Sequence, residues 1–291
     1  MHYSRLFPFL KQPFLFRYFD TFTSMKRSTK SNSPSSYAHF MPWLYFIVAF
    51  VLYSNTIGHF YVLDDYPAIL NNQYVQMGVS GIPKLLSAEF WHFDNVQLGY
   101  YRPLSLISFA VERTLFDNNP HAGHFINALL YGFCGLVLFR FLSTVFKQQH
   151  PWLPHLSTLL FLIHPIHTEV VANIKSRDEL LASLFLFLSM YLFFQQRNRK
   201  TYIKILSLLC YYFALLSKES AITGLLYFPL AWYFFESGKQ KRPIAALLPY
   251  AGILLLFFIQ KKSLTGLWMG KGEMNDIVNY PYQQEALRIS T

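Results

Sequence analysis

The sequence predicts an all-α polytopic membrane protein of about seven transmembrane helices, with a large first extracytoplasmic loop carrying amphipathic surface helices. Three observations predict it. Apolar types make up 53% of the 291 residues and charged types only 14%, where soluble domains carry about 25% charged residues. Aromatics reach 19%, with 30 Phe and 20 Tyr. Apolar runs recur along the whole chain, and Lys and Arg gather in the gaps between them. This composition excludes an ordinary soluble globule, a coiled coil, a disordered chain and a disulfide scaffold. Cys134 and Cys210 fall inside apolar runs and read as small core residues.

Residues 1–41 form a basic arm, expected to be disordered and cytoplasmic, with Arg5, Lys11, Arg17, Lys26, Arg27 and Lys30 against Asp20 alone. Its apolar stretch from Phe9 to Phe19 is broken by Lys11, Pro13 and Arg17, and no small-residue cleavage site follows. Met25 offers a second start. Residues 42–260 form the membrane module, with spans expected near 42–59, 124–146, 153–168, 180–195, 202–216, 220–235 and 243–260. Several are shorter than the ~20 residues an upright span needs, so re-entrant segments are the alternative. With the arm inside, the basic clusters Arg197, Arg199, Lys200, Lys204 and Lys239, Lys241, Arg242 also fall inside. Lys261 and Lys262 break the pattern, landing outside. Residues 261–291 begin a second outer loop. The net charge of +10 thus belongs to loops beside a lipid bilayer rather than to a nucleic-acid surface. Either a bacterial inner membrane or the endoplasmic reticulum fits.

The first outer loop, 60–120, is too long for a simple connection and holds six acids against three bases. Within it, 81–91 places Ile82, Leu85, Leu86 and Phe90 near helical spacing, and 102–116 places Leu104, Ile107, Val111 and Leu115 on one stripe. Both read as short amphipathic helices on the outer surface, either as an ordinary structured loop or as a cover over a site.

Ionisable residues within spans cost about 2.5–3.5 kcal/mol each and so usually have a partner or a task. They gather on the outer side, in "VLDDYPAILNN" (62–72), "HPIHTEVVANIKSRDELL" (164–181) and "LSKESAIT" (216–223). These segments are expected to converge on one water-filled cavity. Asp64 and Asp65 are adjacent and so point different ways. One carboxylate can face the cavity as a general base while the other braces the loop; a solvated turn or helix cap is the plain alternative. His164, His167 and Glu169 fall short of zinc-site spacing and read as polar lining, so no metal or other cofactor is implied. Asp178 and Glu179 suit the N-terminus of a helix, whether or not they also line the cavity. Arg177 beside them has a forked guanidinium that suits phosphate. Lys218 and Glu219 read either as cavity groups or as a mutual salt bridge.

Together, "FYVLDDYPAILNN", "YYRPLSLISFAVERTLF", "HPIHTEVVANIKSRDELLASLF" and "LLSKESAIT" resemble the membrane half of the transmembrane-and-tetratricopeptide-repeat protein O-mannosyltransferases and their bacterial relatives, which are C-type (polytopic) glycosyltransferases. The resemblance covers about residues 43–288. It implies a polyprenyl-phosphate sugar as lipid donor, such as dolichyl or undecaprenyl phosphate mannose, and transfer to a protein or glycan acceptor on the lumenal or periplasmic side. It also implies that Asp64 and Asp65 form the catalytic acidic motif. Arg102, Arg177 and Lys218 match basic positions of the family motifs; their assignment to the donor phosphate is an inference from chemistry. Family members continue through further spans and many add a helical-repeat tail, whereas this sequence stops at "NDIVNYPYQQEALRIST" and is expected to be a piece of a longer protein.

The residue types fit that chemistry. A phosphate leaves as a stable anion, so cations rather than an acid should hold its charge. A hydroxyl nucleophile benefits from one carboxylate base, unlike the paired carboxylates of a glycosidase. A lipid-linked sugar transporter or flippase is the main rival and would bury polar groups midway along its spans. A non-catalytic membrane scaffold is the other.

Overall fold

The computed structural model describes residues 40–91, 98–146, 150–195, 201–236 and 243–268. The basic arm, the clusters at 197–200 and 239–242, Asp94 and residues 269–291 lie outside the described residues. The described residues are helical and contain no strand, as the apolar runs predict. In chain order the helices are α1 (Met41–Leu52), α2 (Gln73–Gln76), α3 (Ile82–Leu85), α4 (Pro103–Phe116), α5 (Pro120–Val145), α6 (Leu153–Ile163), α7 (His167–Val171), α8 (Arg177–Gln195), α9 (Thr201–Ser217), α10 (Gly224–Glu236) and α11 (Pro243–Thr265).

By length and composition, three of these can cross a membrane: α5, α8 and the Ala246–Thr265 part of α11. α1, α6 and α9 are apolar but shorter. Two expected spans stop early for local reasons. α1 ends at Leu52, after which Ser54 Oγ and Thr56 Oγ1 donate to the carbonyls of Val51 and Tyr53 at 2.9 and 2.8 Å in a 3₁₀ turn over Ser54–Gly58. Such local bonds compete with the helical ladder. α6 ends at Ile163 because Pro165 has no N–H and pushes His164 into extended backbone, with ψ 125°. α7 then restarts as a separate short helix.

α5 is the central post. Pro120 opens it and Asn119 caps it by accepting from the His121 N–H at 3.0 Å. It packs against α1, α6 and α8. Tyr45, Ala49, Tyr131, Cys134, Phe139, Leu162 and Leu180 form one core between these helices. A second, more aromatic core joins α5 to α8–α11 through Phe141, Phe193, Tyr211, Phe228, Tyr250 and Phe257. Both cysteines are buried free thiols, Cys134 within the first of these cores.

The outer loop has a third core of its own, made from Ala68, Ile69, Val75, Leu85, Phe90, Leu106, Phe109 and Ala110, closed by Ile174 from the segment before α8. The amphipathic helix expected over 81–91 is only the one-turn α3. Beyond it the Phe90 N–H donates to the Tyr100 carbonyl at 2.7 Å, and Glu89 accepts from the N–H groups of Leu98 and Gly99. These bonds fold the chain back instead of continuing the helix. α4 forms as expected, yet its buried face is Ser105, Leu106, Phe109, Ala110 and Glu112. Val111 and Leu115 of the expected stripe point outward.

Candidate functional site

The two adjacent aspartates follow Leu63, whose φ of 39° is left-handed. That conformation costs a non-glycine residue about 1–2 kcal/mol. Asp65 is fully buried. One of its oxygens accepts from the Val62 N–H at 2.9 Å, the other from the Lys175 N–H at 2.7 Å, so it pins the first outer loop to the segment before α8. Burial pushes its carboxyl above the usual carboxylate range, against the pull of those two donors. Asp64 is half exposed and faces the Lys175 ammonium at 3.4 Å. Lys175 therefore holds both acids, one by its backbone and one by its side chain. Its Nζ lies 5.2 Å from the Trp91 ring centre and 6.0 Å from that of Phe90.

The far side of Phe90's neighbourhood is charged as well. Arg102 stacks on Phe90 at 5.3 Å and on Tyr100 at 4.9 Å. Its Nη1 donates to Asp178 at 2.7 Å and its Nε to Glu219 at 3.1 Å. Glu219 in turn binds Lys261 of α11 at 3.1 Å and accepts from the Tyr101 N–H at 3.2 Å. Lys218 binds Glu179 at 2.6 Å and approaches Asp178 at 3.8 Å. Charges thus alternate along Lys261, Glu219, Arg102, Asp178, Lys218 and Glu179. Burial would raise Glu219, but Arg102 and Lys261 outweigh it and hold the carboxyl below its ordinary value. Burial would lower Arg102, and Asp178 and Glu219 more than offset that.

Arg177 lies apart from this chain of charges. It is 1% exposed. Nη1 pairs with Glu112 at 2.6 Å, Nε donates to Asn127 at 2.9 Å and Nη2 to the Gly123 carbonyl at 3.1 Å, with Phe109 stacked at 4.6 Å. It ties α4, α5 and α8 together. All three of its guanidinium nitrogens are engaged in this frame and its side chain is 1% exposed, against 9% for Arg102.

No family model and no solved structure matches the chain. Curated proteins do. Over 184 residues the chain is 35% identical to Protein O-mannosyl-transferase Tmtc1 of Drosophila melanogaster, covering 62% of this chain and 21% of that protein. Over 187 residues it is 33% identical to Protein O-mannosyl-transferase TMTC1 of Mus musculus (59% and 20%), and over 215 residues 30% identical to TMTC4 of Mus musculus (63% and 28%). The chain is similar to the TMTC protein O-mannosyl-transferases. It spans between a fifth and a little over a quarter of the length of these curated relatives.

In this TMTC-like module, Asp64, Asp65, Arg102, Asp178, Glu179, Lys218 and Glu219 lie in the charged shell just described. Lys218 and Glu219 do not pair with each other; each takes a partner from another helix or loop, α9 having ended at Ser217 and Lys218 standing in extended backbone before the 3₁₀ turn that Glu219 opens. His164 and Glu169 are exposed, and His167 packs its ring on Phe161 at 4.3 Å and near Tyr131 at 5.7 Å. These three sit at the α6–α7 joint. Among the described residues no group of three His, Cys, Asp or Glu side chains is arranged to hold a metal ion. Sequence reasoning passed over Lys175, Lys261 and Glu112. Lys261 carried a signal, as a basic residue on the wrong side of the charge pattern. Its buried pairing with Glu219 explains that exception.

Proposed function

We propose that the chain is the sugar-transfer module of a membrane mannosyltransferase. It moves mannose from a polyprenyl-phosphate donor to a hydroxyl, Ser or Thr of a protein, on the extracytoplasmic side. The observation that carries this reading is one half-exposed carboxylate, Asp64, set beside a lysine that lies against aromatic rings, in a module similar to protein O-mannosyl-transferases.

The acceptor oxygen attacks C1 of the sugar from the side opposite the phosphate. The C1–O bond to phosphate breaks, and its electron pair leaves on the phosphate oxygen. The hydroxyl proton passes to Asp64, and the anomeric centre inverts. A positioned base contributes about 10²–10⁴ in rate. The leaving phosphate needs cations rather than a proton. Lys218, a fifth exposed, and Arg102 behind it are assigned to that phosphate. Arg177 is assigned to the frame instead. The lipid tail runs along the apolar helices.

The test is radiolabelled transfer from dolichyl phosphate mannose to a Ser/Thr-containing protein by membranes carrying the full-length protein. Label on the acceptor hydroxyl is expected. Sugar carried across the membrane without transfer would instead indicate a transporter or flippase, and donor binding without either would indicate a scaffold.

A further inference from the structure

We infer that Lys175 is a donor-sensing cation: it covers Asp64 while the site is empty and passes to the donor phosphate when the lipid-linked sugar arrives, uncovering Asp64 for the acceptor proton. This rests on the sugar-phosphate reading of the site. Lys175 is built for such an exchange. Its backbone is fixed, because its N–H is shared between Asp65 at 2.7 Å and Asn173 Oδ1 at 3.1 Å. Its ammonium sits at the end of four methylenes and is a mobile point charge. The bridge to Asp64 is 3.4 Å long and its acid is 53% exposed. The lysine side chain is 15% exposed; charge-assisted bonds of full strength run at about 2.7–2.9 Å, so the length of this bridge marks it as the more easily given up.

The other cations of the site are differently placed. Arg102 and Arg177 are buried on carboxylates at 2.7 and 2.6 Å, and Lys218 holds Glu179 at 2.6 Å. Lys175 also has a second seat. That seat lies beside the rings with the ammonium still at Asp64: Trp91 and Phe90 flank it at 5.2 and 6.0 Å, and Phe90 carries Arg102 too. Arg102 and Lys175 both lie against the Phe90 ring, at 5.3 and 6.0 Å from its centre, and a phosphate held at Arg102 is taken to fall within reach of Lys175. Asp64 and the phosphate then compete for one cation.

Competition has a thermodynamic signature that a mere structural salt bridge lacks. Dolichyl phosphate, which carries the phosphate but no sugar, is titrated into the purified full-length protein, the Asp64→Asn and Lys175→Met variants, and the double variant. Removing the competitor should tighten binding about threefold in Asp64→Asn, and removing the shared cation should weaken it about tenfold in Lys175→Met. The double variant should match Lys175→Met, the gain having vanished. Lys175→Arg should stay within about threefold of the parent and keep the gain from Asp64→Asn, which carries the test if Lys175→Met does not fold. Quenching or enhancement of Trp91 fluorescence on binding, lost in Trp91→Phe, should accompany the exchange. The inference is overturned if Asp64→Asn leaves affinity unchanged, or if its gain persists undiminished without Lys175. If the parent binds no dolichyl phosphate, the sugar-phosphate reading falls and takes this inference with it. Binding without coupling removes the Lys175 assignment alone.

Discussion

Lys175 and Arg177 stand two residues apart and do different work, because the helix begins between them. Lys175 is on the loop and reaches Asp64, whereas Arg177 opens α8 and points into the frame. Removing the partner of a buried charge costs about 3–5 kcal/mol. Glu112→Ala should therefore lower the melting temperature of the detergent-solubilised protein sharply, and Arg177→Lys should do so in part. Folded Arg177→Lys should retain parental dolichyl phosphate affinity; a selective loss of affinity at unchanged stability would return Arg177 to the donor site. Gly123 belongs to the same frame. A Cβ there would lie 2.9 Å from Glu112 Oε1 and 2.9 Å from Ile174 Cδ1, while the backbone carbonyl accepts from Arg177. Gly123→Ala should cost about 1–3 kcal/mol by overpacking, read in the same melts.

At the scale of elements, the 3₁₀ turn over Glu219–Thr223 works as a latch. Glu219 joins α11, through Lys261, to the segment before α4, through Arg102 and the Tyr101 N–H. Gln260 supports it by donating to the Tyr101 hydroxyl at 3.0 Å. The sign of the pH effect follows from the depressed Glu219 carboxyl. Its contribution is fully present above the ordinary glutamate value of 4.5 and is lost as pH falls through the lower folded value. Glu219→Gln should be less stable than the parent at neutral pH, and the gap should narrow on acidification below 4.5. A gap that stays constant across that window would remove Glu219 as the linked group. The long helices α5 and α8 were legible as apolar runs of the right length, and α4 as a short amphipathic stretch. The stop at His164 was legible in Pro165, but the stop at Leu52 depends on hydroxyl back-bonds that apolar periodicity does not report. The one-turn α3 was misread because Glu89 and Phe90 are held by residues 98–100, and a helical spacing of apolar residues does not record that closure.

For the molecule as a whole, three segments distant in sequence meet at one place. Asp65 staples the first outer loop to the segment before α8, and Arg102 joins that loop to α8 and to the turn after α9. The convergence was legible because each segment set unpaired charges beside an apolar run, where isolated charges are costly. The pairing within it was not, since Lys218 and Glu219 look like natural partners in sequence and separate only in space. Lys175, a loop residue with no periodicity to mark it, became visible only beside Asp64. If Asp64 takes the acceptor's proton, mannose transfer from dolichyl phosphate mannose in membranes carrying Asp64→Asn at parental expression should fall by at least about 10² while dolichyl phosphate is still bound. Transfer at the parental rate would contradict that role.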